Sequence, residues 1–330
     1  MNIQGVNDTT RLMALVGMLV SPVLYAETDW LSVTVDNDMF VGNDSGYTNG
    51  LFVSWFDTEE NKNQPAPSIF VRPLLWSLSE QKIEGAVNAF TIGQTMMTPQ
   101  DITIENPTDD DLPYAGLLMF NNTYLAINEH YADKISTTLG LVGPSSGAKA
   151  TQKWVHKLID ADDPKGWDTQ LKDELVFQFT RGRIRRSWVS ESGHIDLLTS
   201  GEASLGTLSS SVSGGVMVRY GRDLIRSYAT PLFGSSRTSN PVAIEGGWYL
   251  YAGLNVGYIF NQIFADGNTF RDSRSIDYEH TQISMSAGMA YSWQDLSITL
   301  VINDSNLIEN DKEQLQELTR YGTLTIAWRY

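Results

Sequence analysis

The chain has 330 residues, no cysteine and a formal net charge of −16. The lack of cysteine excludes disulfides and thiolate chemistry, and the acidic balance argues against nucleic acid, whose phosphates need a basic surface. A hydrophobic content of 42% fits neither a helical membrane protein nor a disordered chain, and the acidity suits either solubility or the holding of divalent cations.

In chain order, Arg11 is followed by the apolar run LMALVGMLVSPVLYA, with Ala26 at a small-residue cleavage position before ETDW. Residues 1–26 read as a secretory signal, too short and wrongly flanked for a spanning helix. No later run reaches 18 apolar residues, so no membrane helix is expected.

After residue 27 the dominant period is two. Leu31, Val33 and Val35 alternate with Ser32, Thr34 and Asp36, and Leu51, Val53 and Trp55 alternate in the next strand. Between them lies DNDMFVGNDSGYTNG, residues 36–50, where carboxylates, amides and hydroxyls sit among glycines. A plain hairpin turn needs two to five residues, so this bend looks built to hold something. Further strands are expected near 86–98, 113–128, 134–143, 173–184, 193–206, 211–222, 247–264, 277–293, 295–303 and 319–330. That makes twelve, an even number, and most exceed the 9–11 residues that a tilted strand needs to cross a bilayer. Helical periodicity is convincing only at 146–160.

The terminal YGTLTIAWRY puts Leu324, Ile326, Trp328 and Tyr330 on one face and Thr323, Thr325, Ala327 and Arg329 on the other. A lipid-facing apolar row ending in an aromatic is the pattern of a closed membrane barrel, and it resembles the terminal signature of bacterial outer-membrane proteins. A soluble sandwich shows the same alternation. The leader, the strand number and length, and the 9 Trp, 14 Tyr and 12 Phe agree on the barrel. The expected fold is all-β: a twelve-stranded antiparallel transmembrane β-barrel over 27–330, monomeric, in the outer membrane, with a short extracellular-loop helix. With both termini periplasmic, the junctions at 37–48, 98–113 and 143–172 lie at the outer mouth. The short turn at 128–133 then falls on the periplasmic side. So do 58–85 and 223–246, which are long for periplasmic turns.

The mouth carries DNDMF, GYTNGL, DDDLPYAGLL (109–118) and the segment 140–174 with the helix. On that helix Gln152, His156 and roughly Asp160 recur every four residues on one face, with Lys149, Lys153 and Lys157 on a neighbouring stripe. Ester hydrolysis needs a base to activate water and something positive to stabilise the oxyanion. A histidine oriented by a carboxylate can be the base. Ca²⁺ takes oxygen ligands, which the acidic bends offer, and can act as a Lewis acid. There is no G-x-S-x-G elbow, although Ser145 and Ser146 of GPSSG lie near the helix. Each feature also has a plainer explanation. His156 can be a solvated surface residue, Asn37 and Asp38 can end a strand, and Asp109–Asp111 read as a solvated loop. GPSSG reads as a turn, the lysines as a solvated stripe, and RGRIRR (181–186) falls at the periplasmic end with no catalytic role. Parity places Asp36 and Asp38 toward the lumen and Asn37 opposite, unless a bulge intervenes.

These segments resemble the lipid A 3′-O-deacylase (LpxR) family of outer-membrane enzymes, with gaps from about residue 29 to 330 and with the motifs concentrated in 35–175. The resemblance implies a twelve-stranded, Ca²⁺-dependent barrel that removes the 3′-linked acyloxyacyl chain of lipid A, in the lipopolysaccharide of the outer leaflet. It places the active site between the barrel wall and a loop helix. The family's Asn-Asp pair matches Asn37 and Asp38, and its Tyr-Thr matches Tyr47 and Thr48. Its helix Gln and catalytic His match Gln152 and His156. A Glu six residues beyond that His corresponds here to Asp162, one methylene shorter, with Asp160 and Asp163 as alternative carboxylates. The resemblance thus implies catalytic roles for His156, Asp162, Gln152, Thr48 and Asn37, and Ca²⁺ on Asp38 and Asn37. Lys149 and Lys153 would then face the lipid A phosphates. The rivals are another lipid esterase, such as a phospholipase, and a non-enzymatic barrel for solute passage or adhesion.

Overall fold

The computed structural model describes residues 30–37, 46–58, 65–79, 83–227, 247–304 and 321–329. The expected leader at residues 1–26, Asp38 and Tyr330 lie outside these. Twelve strands are present among the described residues: β1 (Trp30–Asn37), β2 (Gly46–Thr58), β3 (Gly85–Thr98), β4 (Ala115–Ile127), β5 (Tyr131–Val142), β6 (Glu174–Val189), β7 (Ile195–Gly206), β8 (Ser209–Arg222), β9 (Trp248–Gln262), β10 (Thr281–Trp293), β11 (Leu296–Asp304) and β12 (Tyr321–Arg329). Each pairs with its neighbour in sequence, and β1 closes on β12 with Trp30 opposite Arg329 and Asn37 opposite Gly322. Closure satisfies every ladder and leaves no edge, which a membrane-spanning sheet requires. No described helix is long and apolar enough to cross a membrane.

The period of two has a direct structural cause. Trp30, Ser32, Thr34 and Asp36 are buried in the lumen, while Leu31, Val33 and Val35 face out. Inside, the Thr34 and Thr325 hydroxyls meet at 2.8 Å, and Thr323 donates to Asp36 at 2.7 Å. Outside, Leu51, Leu175, Val216, Leu254 and Leu300 are exposed, forming the apolar band that faces lipid. Short turns at 128–130, 190–194 and 294–295 share one end with the termini, which identifies that end as periplasmic.

Side chains fill the lumen. Toward the outer end, Met97, Leu117, Val142 and Val176 pack with Leu208, Phe264 and Ile276 from the loops. Toward the periplasm, Trp30, Phe56, Leu125, Ile184 and Leu198 pack from several walls. Between them Asn121 donates to Ser136 and Thr138, both at 2.8 Å, and Lys134 pairs with Glu202 at 2.9 Å. Arg219 meets Asp196 through two bonds of 2.9 and 2.6 Å and also donates to the Leu224 carbonyl and Ser227 hydroxyl. Those last contacts draw the start of the long β8–β9 connection, the helical turn Leu224–Ser227, into the barrel.

The other long connection departs from the expected periplasmic turn. Residues 65–79 lie as a strap against the outer face of β3–β6. On this wall Asn88, Asn122, Asp133, Arg181 and Arg183 point outward, where lipid would leave them unsatisfied. The strap meets them. Asn88 donates to the Ala66 carbonyl (3.3 Å), Thr137 to Phe70 (2.8 Å) and Arg181 to Ser77 (3.2 Å), while the Ser68 hydroxyl donates to Asn122. Irregular backbone is tolerated at membrane depth only when its polar groups are bonded in this way. Val71, Leu74, Leu75 and Leu78 pack onto Tyr124, Ala126 and Ile135, and Ile69 and Trp76 remain exposed to continue the lipid-facing surface.

Candidate active site

After β5 the chain reverses at two glycines, Gly143 (φ 108°) and Gly147 (φ 78°), with Pro144–Ser146 as a 3₁₀ turn between them. GPSSG is therefore a turn. Ser145 bonds Asp173 through its amide and its hydroxyl, both at 2.8 Å. The helix that follows, α1 (Ala148–Ile159), packs on the outer side of β3 and β4. Gly116 permits this approach. A Cβ there would lie 2.2 Å from Ser146 Oγ and 2.3 Å from Ala148 Cβ. Gln94 fixes the turn by donating to the Ser146 carbonyl at 2.7 Å. Gly116 pairs with Met96, Met96 with Asn49, and Asn49 with Asn37. Asn37 thus ends β1 on the same outward face that carries α1.

Gln152 (2% exposed) and His156 (8%) form the buried face of α1. His156 Nδ1 lies 2.6 Å from the main-chain carbonyl of Asp162. A carbonyl only accepts, so Nδ1 carries the proton, and in the neutral imidazole Nε2 is the acceptor nitrogen. Gln152 Oε1 accepts the indole N–H of Trp167 at 2.6 Å. The amide nitrogen, Nε2, is buried without a partner among the described residues. Trp167 packs on Tyr114 with centroids 4.9 Å apart, beside Met96 and Ala148. The Tyr114 hydroxyl donates to the Ile102 carbonyl at 3.1 Å, and burial pushes it up to about 12, so it stays neutral.

The expected stack of Gln152, His156 and Asp160 is interrupted at its third member. Asp160 adopts φ 58° and caps the helix, so it is exposed and off the buried face. The Asp162 side chain is exposed too, and its carbonyl is what reaches the imidazole. Asp163 pairs with Lys153 at 3.6 Å, and Asp168 pairs with Lys149 at 2.6 Å. The Lys149 bond holds the Asp168 carboxyl below its usual range. Asp111 accepts the amides of Leu112 (2.7 Å) and Gln100 (3.1 Å), so it organises its own loop. Asp36 faces the lumen, as parity requires, and is separated from α1 by the wall.

Thr48 sits at a bulge in β2, where the register against β3 shifts between Tyr47 and Asn49; bulges commonly re-aim side chains beside sites. The Tyr47 and Thr48 side chains, like Asp38, fall outside what is described. Among the described residues no three His, Asp or Glu side chains converge on a metal-sized space. Tyr114 and Trp167 lie within DDDLPYAGLL and the segment 140–174, but neither is expected from sequence to have a role. The available signal was an isolated Gly-Trp in an acidic, lysine-rich loop.

The family model described as outer membrane protein LpxR matches residues 12–330. Among solved structures, LpxR from Salmonella typhimurium superposes with a TM-score of 0.72 at 15% identity, covering 91% of this chain and 100% of that one; the likeness is one of fold. The translocator domain of the autotransporter NalP from Neisseria meningitidis gives a TM-score of 0.41 at 8% identity, covering 98% and 96%. The β-domain of the Bordetella autotransporter BrkA gives 0.41 at 9%, covering 92% and 98%. No curated protein sequence matches the chain.

Proposed function

The chain belongs to the LpxR family of outer membrane proteins, and from that premise we propose that it is a Ca²⁺-dependent esterase removing the 3′-linked acyloxyacyl chain of lipid A in the outer leaflet. One observation carries the reading: a histidine with a free Nε2 lies on the buried face of a helix held against the lipid-facing side of the wall. A lipid can reach that face sideways from the membrane.

In this mechanism His156 Nε2 takes a proton from water, and the Asp162 carbonyl bonded to Nδ1–H stabilises the resulting imidazolium. Gln152 Nε2 donates to the developing oxyanion. Trp167 fixes which end of the amide points there, because its N–H can be met only by Oε1. A buried donor without a partner costs about 1–3 kcal/mol, and an oxyanion accepting its hydrogen offsets that cost. Asn37 lines the wall side, and Thr48 is the residue the family resemblance adds to it. Lys149 and Lys153 face the lipid A phosphates. Their partners are exposed and the pairs correspondingly weak, so a phosphate can displace them.

Calcium enters through Asn37 and Asp38. The Asn37 amide oxygen suits it, but the described residues supply no carboxylate cluster, so the site depends on Asp38 and its neighbours. When bound, Ca²⁺ supplies a Lewis acid for the ester carbonyl. Excess chelator should stop activity reversibly, with Ca²⁺ restoring it, and Asp38→Ala should raise the Ca²⁺ concentration required. Full activity in chelator would remove the metal from the mechanism.

The filled lumen disfavours solute passage. The phospholipase alternative differs in substrate alone. Mass spectra of lipid A from cells with and without the protein distinguish the two. Loss of a 3′-linked acyl mass is the expected result, and altered phospholipids with unchanged lipid A would transfer the assignment.

A further inference from the structure

The run RGRIRR takes no part in the proposed chemistry, yet Arg181, Arg183 and Arg185 all project from the lipid-facing side of β6. Asp133 is the carboxylate that meets them, at 2.6 Å from Arg181 and at 2.6 and 2.8 Å from Arg183. Two guanidiniums share that one acid and Arg185 adds a third charge, so the patch is positive on a chain whose net charge is −16. The Arg183 side chain is 46% exposed and lies over the Tyr131 ring at 4.2 Å. Arg185 stands opposite Tyr131 on one side and Thr199 on the other, is exposed, and has no ion pair among the described residues. Beside it Thr199 and Ser187 share a hydrogen bond of 2.6 Å. Tyr131 begins β5 straight after the short periplasmic turn, and Trp188 lies exposed just beyond on β6.

We propose that Arg183 and Arg185 form a binding site for the phosphodiester headgroup of an anionic glycerophospholipid in the periplasmic leaflet. The sign of the charge is right, and a guanidinium fork matches phosphate geometry. The patch also lies on the wall that lipids touch, at the end where periplasmic headgroups sit, with Trp188 able to cover the start of an acyl chain. Its failure leaves the esterase reading intact, because α1 is at the other end of the barrel.

The test uses the full-length barrel in neutral detergent, offered phosphatidylglycerol, phosphatidylcholine or inorganic phosphate. Lipid retention is read by native mass spectrometry and stability by thermal unfolding. Wild type should retain phosphatidylglycerol preferentially and gain stability from it. Arg185→Gln should retain it about tenfold less, the scale of one lost charge-assisted contact, and Arg185→Lys should fall between. Arg185 pairs with no acid among the described residues, so the variants should fold, which heat-modifiable gel mobility verifies. Equal retention of the two lipids, unchanged retention by Arg185→Gln, or equal stabilisation by inorganic phosphate would each overturn the proposal.

Discussion

Two segments cover the outside of one stretch of barrel wall, and they use their polar groups differently. Under the strap, polar groups answer one another. Asn122 donates to Asn88 (2.9 Å) and to the Ala89 carbonyl (3.0 Å) while accepting from Ser68, and Asp133 receives two arginines. Under α1, Gln152 Nε2 is buried without a partner among the described residues, and the His156 ring is bonded through Nδ1 to the Asp162 carbonyl, which leaves Nε2 toward the site. A buried polar network that closes on itself holds structure, whereas one left open at a lipid-accessible face awaits a ligand. On the proposed function, the same wall carries a structural cover toward the periplasm and a chemical one at the mouth.

The sharpest way to break this comparison is to remove the open group itself. His156→Ala should fold as wild type, because α1 stands outside the barrel ladder, and should lose about 10²–10⁴-fold in deacylation rate. Near-normal turnover by a folded variant would make the mouth cover as structural as the strap. The converse substitution is Asp133→Ala. It leaves two arginines without their acid and should cost about 3 kcal/mol, the lower end for a broken buried pair because Arg183 reaches the surface. Urea unfolding should show the loss, while specific activity below the transition stays within about twofold. A collapse of activity with unchanged stability would reverse the roles of the two covers. Between these stands Gln152→Ala, expected to reduce kcat by about 10²–10³-fold with little change in KM, as for removal of one oxyanion donor. The variant also leaves the buried Trp167 indole N–H without its acceptor, so it should lose about 1–3 kcal/mol of stability alongside the rate. A stability loss without a rate loss would return Gln152 to a packing role.

The two covers were unequally legible in the sequence. The strands could be read because bilayer and lumen enforce a period of two, and α1 because Gln152 and His156 recur at helical spacing. The strap could not, since outward Asn88, Asn122 and Asp133 merely spoil an alternation, and nothing local reveals that a segment 54 residues away from both Asn122 and Asp133 covers them. In the site, the resemblance supplied the residue that meets the histidine but not the atom. A main-chain carbonyl has no letter of its own, and the left-handed cap at Asp160 that follows His156 has no glycine to mark it. The Gly-Trp that orients Gln152 had no motif to mark it.

The smallest expected effect is the most discriminating about that atom. If a carboxylate oriented His156, Asp162→Ala would remove the partner and approach the loss expected for His156→Ala. In the structure the side chain of Asp162 is exposed and its carbonyl, 2.6 Å from Nδ1, survives truncation to alanine. Substituting an exposed side chain away from special contacts usually changes free energies by less than about 0.5 kcal/mol, roughly twofold in rate. Asp162→Ala should therefore keep kcat within about twofold of wild type. The neighbouring carboxylates offer a control: Asp160→Ala and Asp163→Ala should also leave kcat near wild type, since neither contacts the imidazole. A loss of a hundredfold or more confined to Asp162→Ala would mean that the loop turns the carboxylate inward when substrate binds. The mouth cover would then complete its network only with the lipid in place, and the contrast with the strap would become one between a fixed cover and one that closes on its ligand.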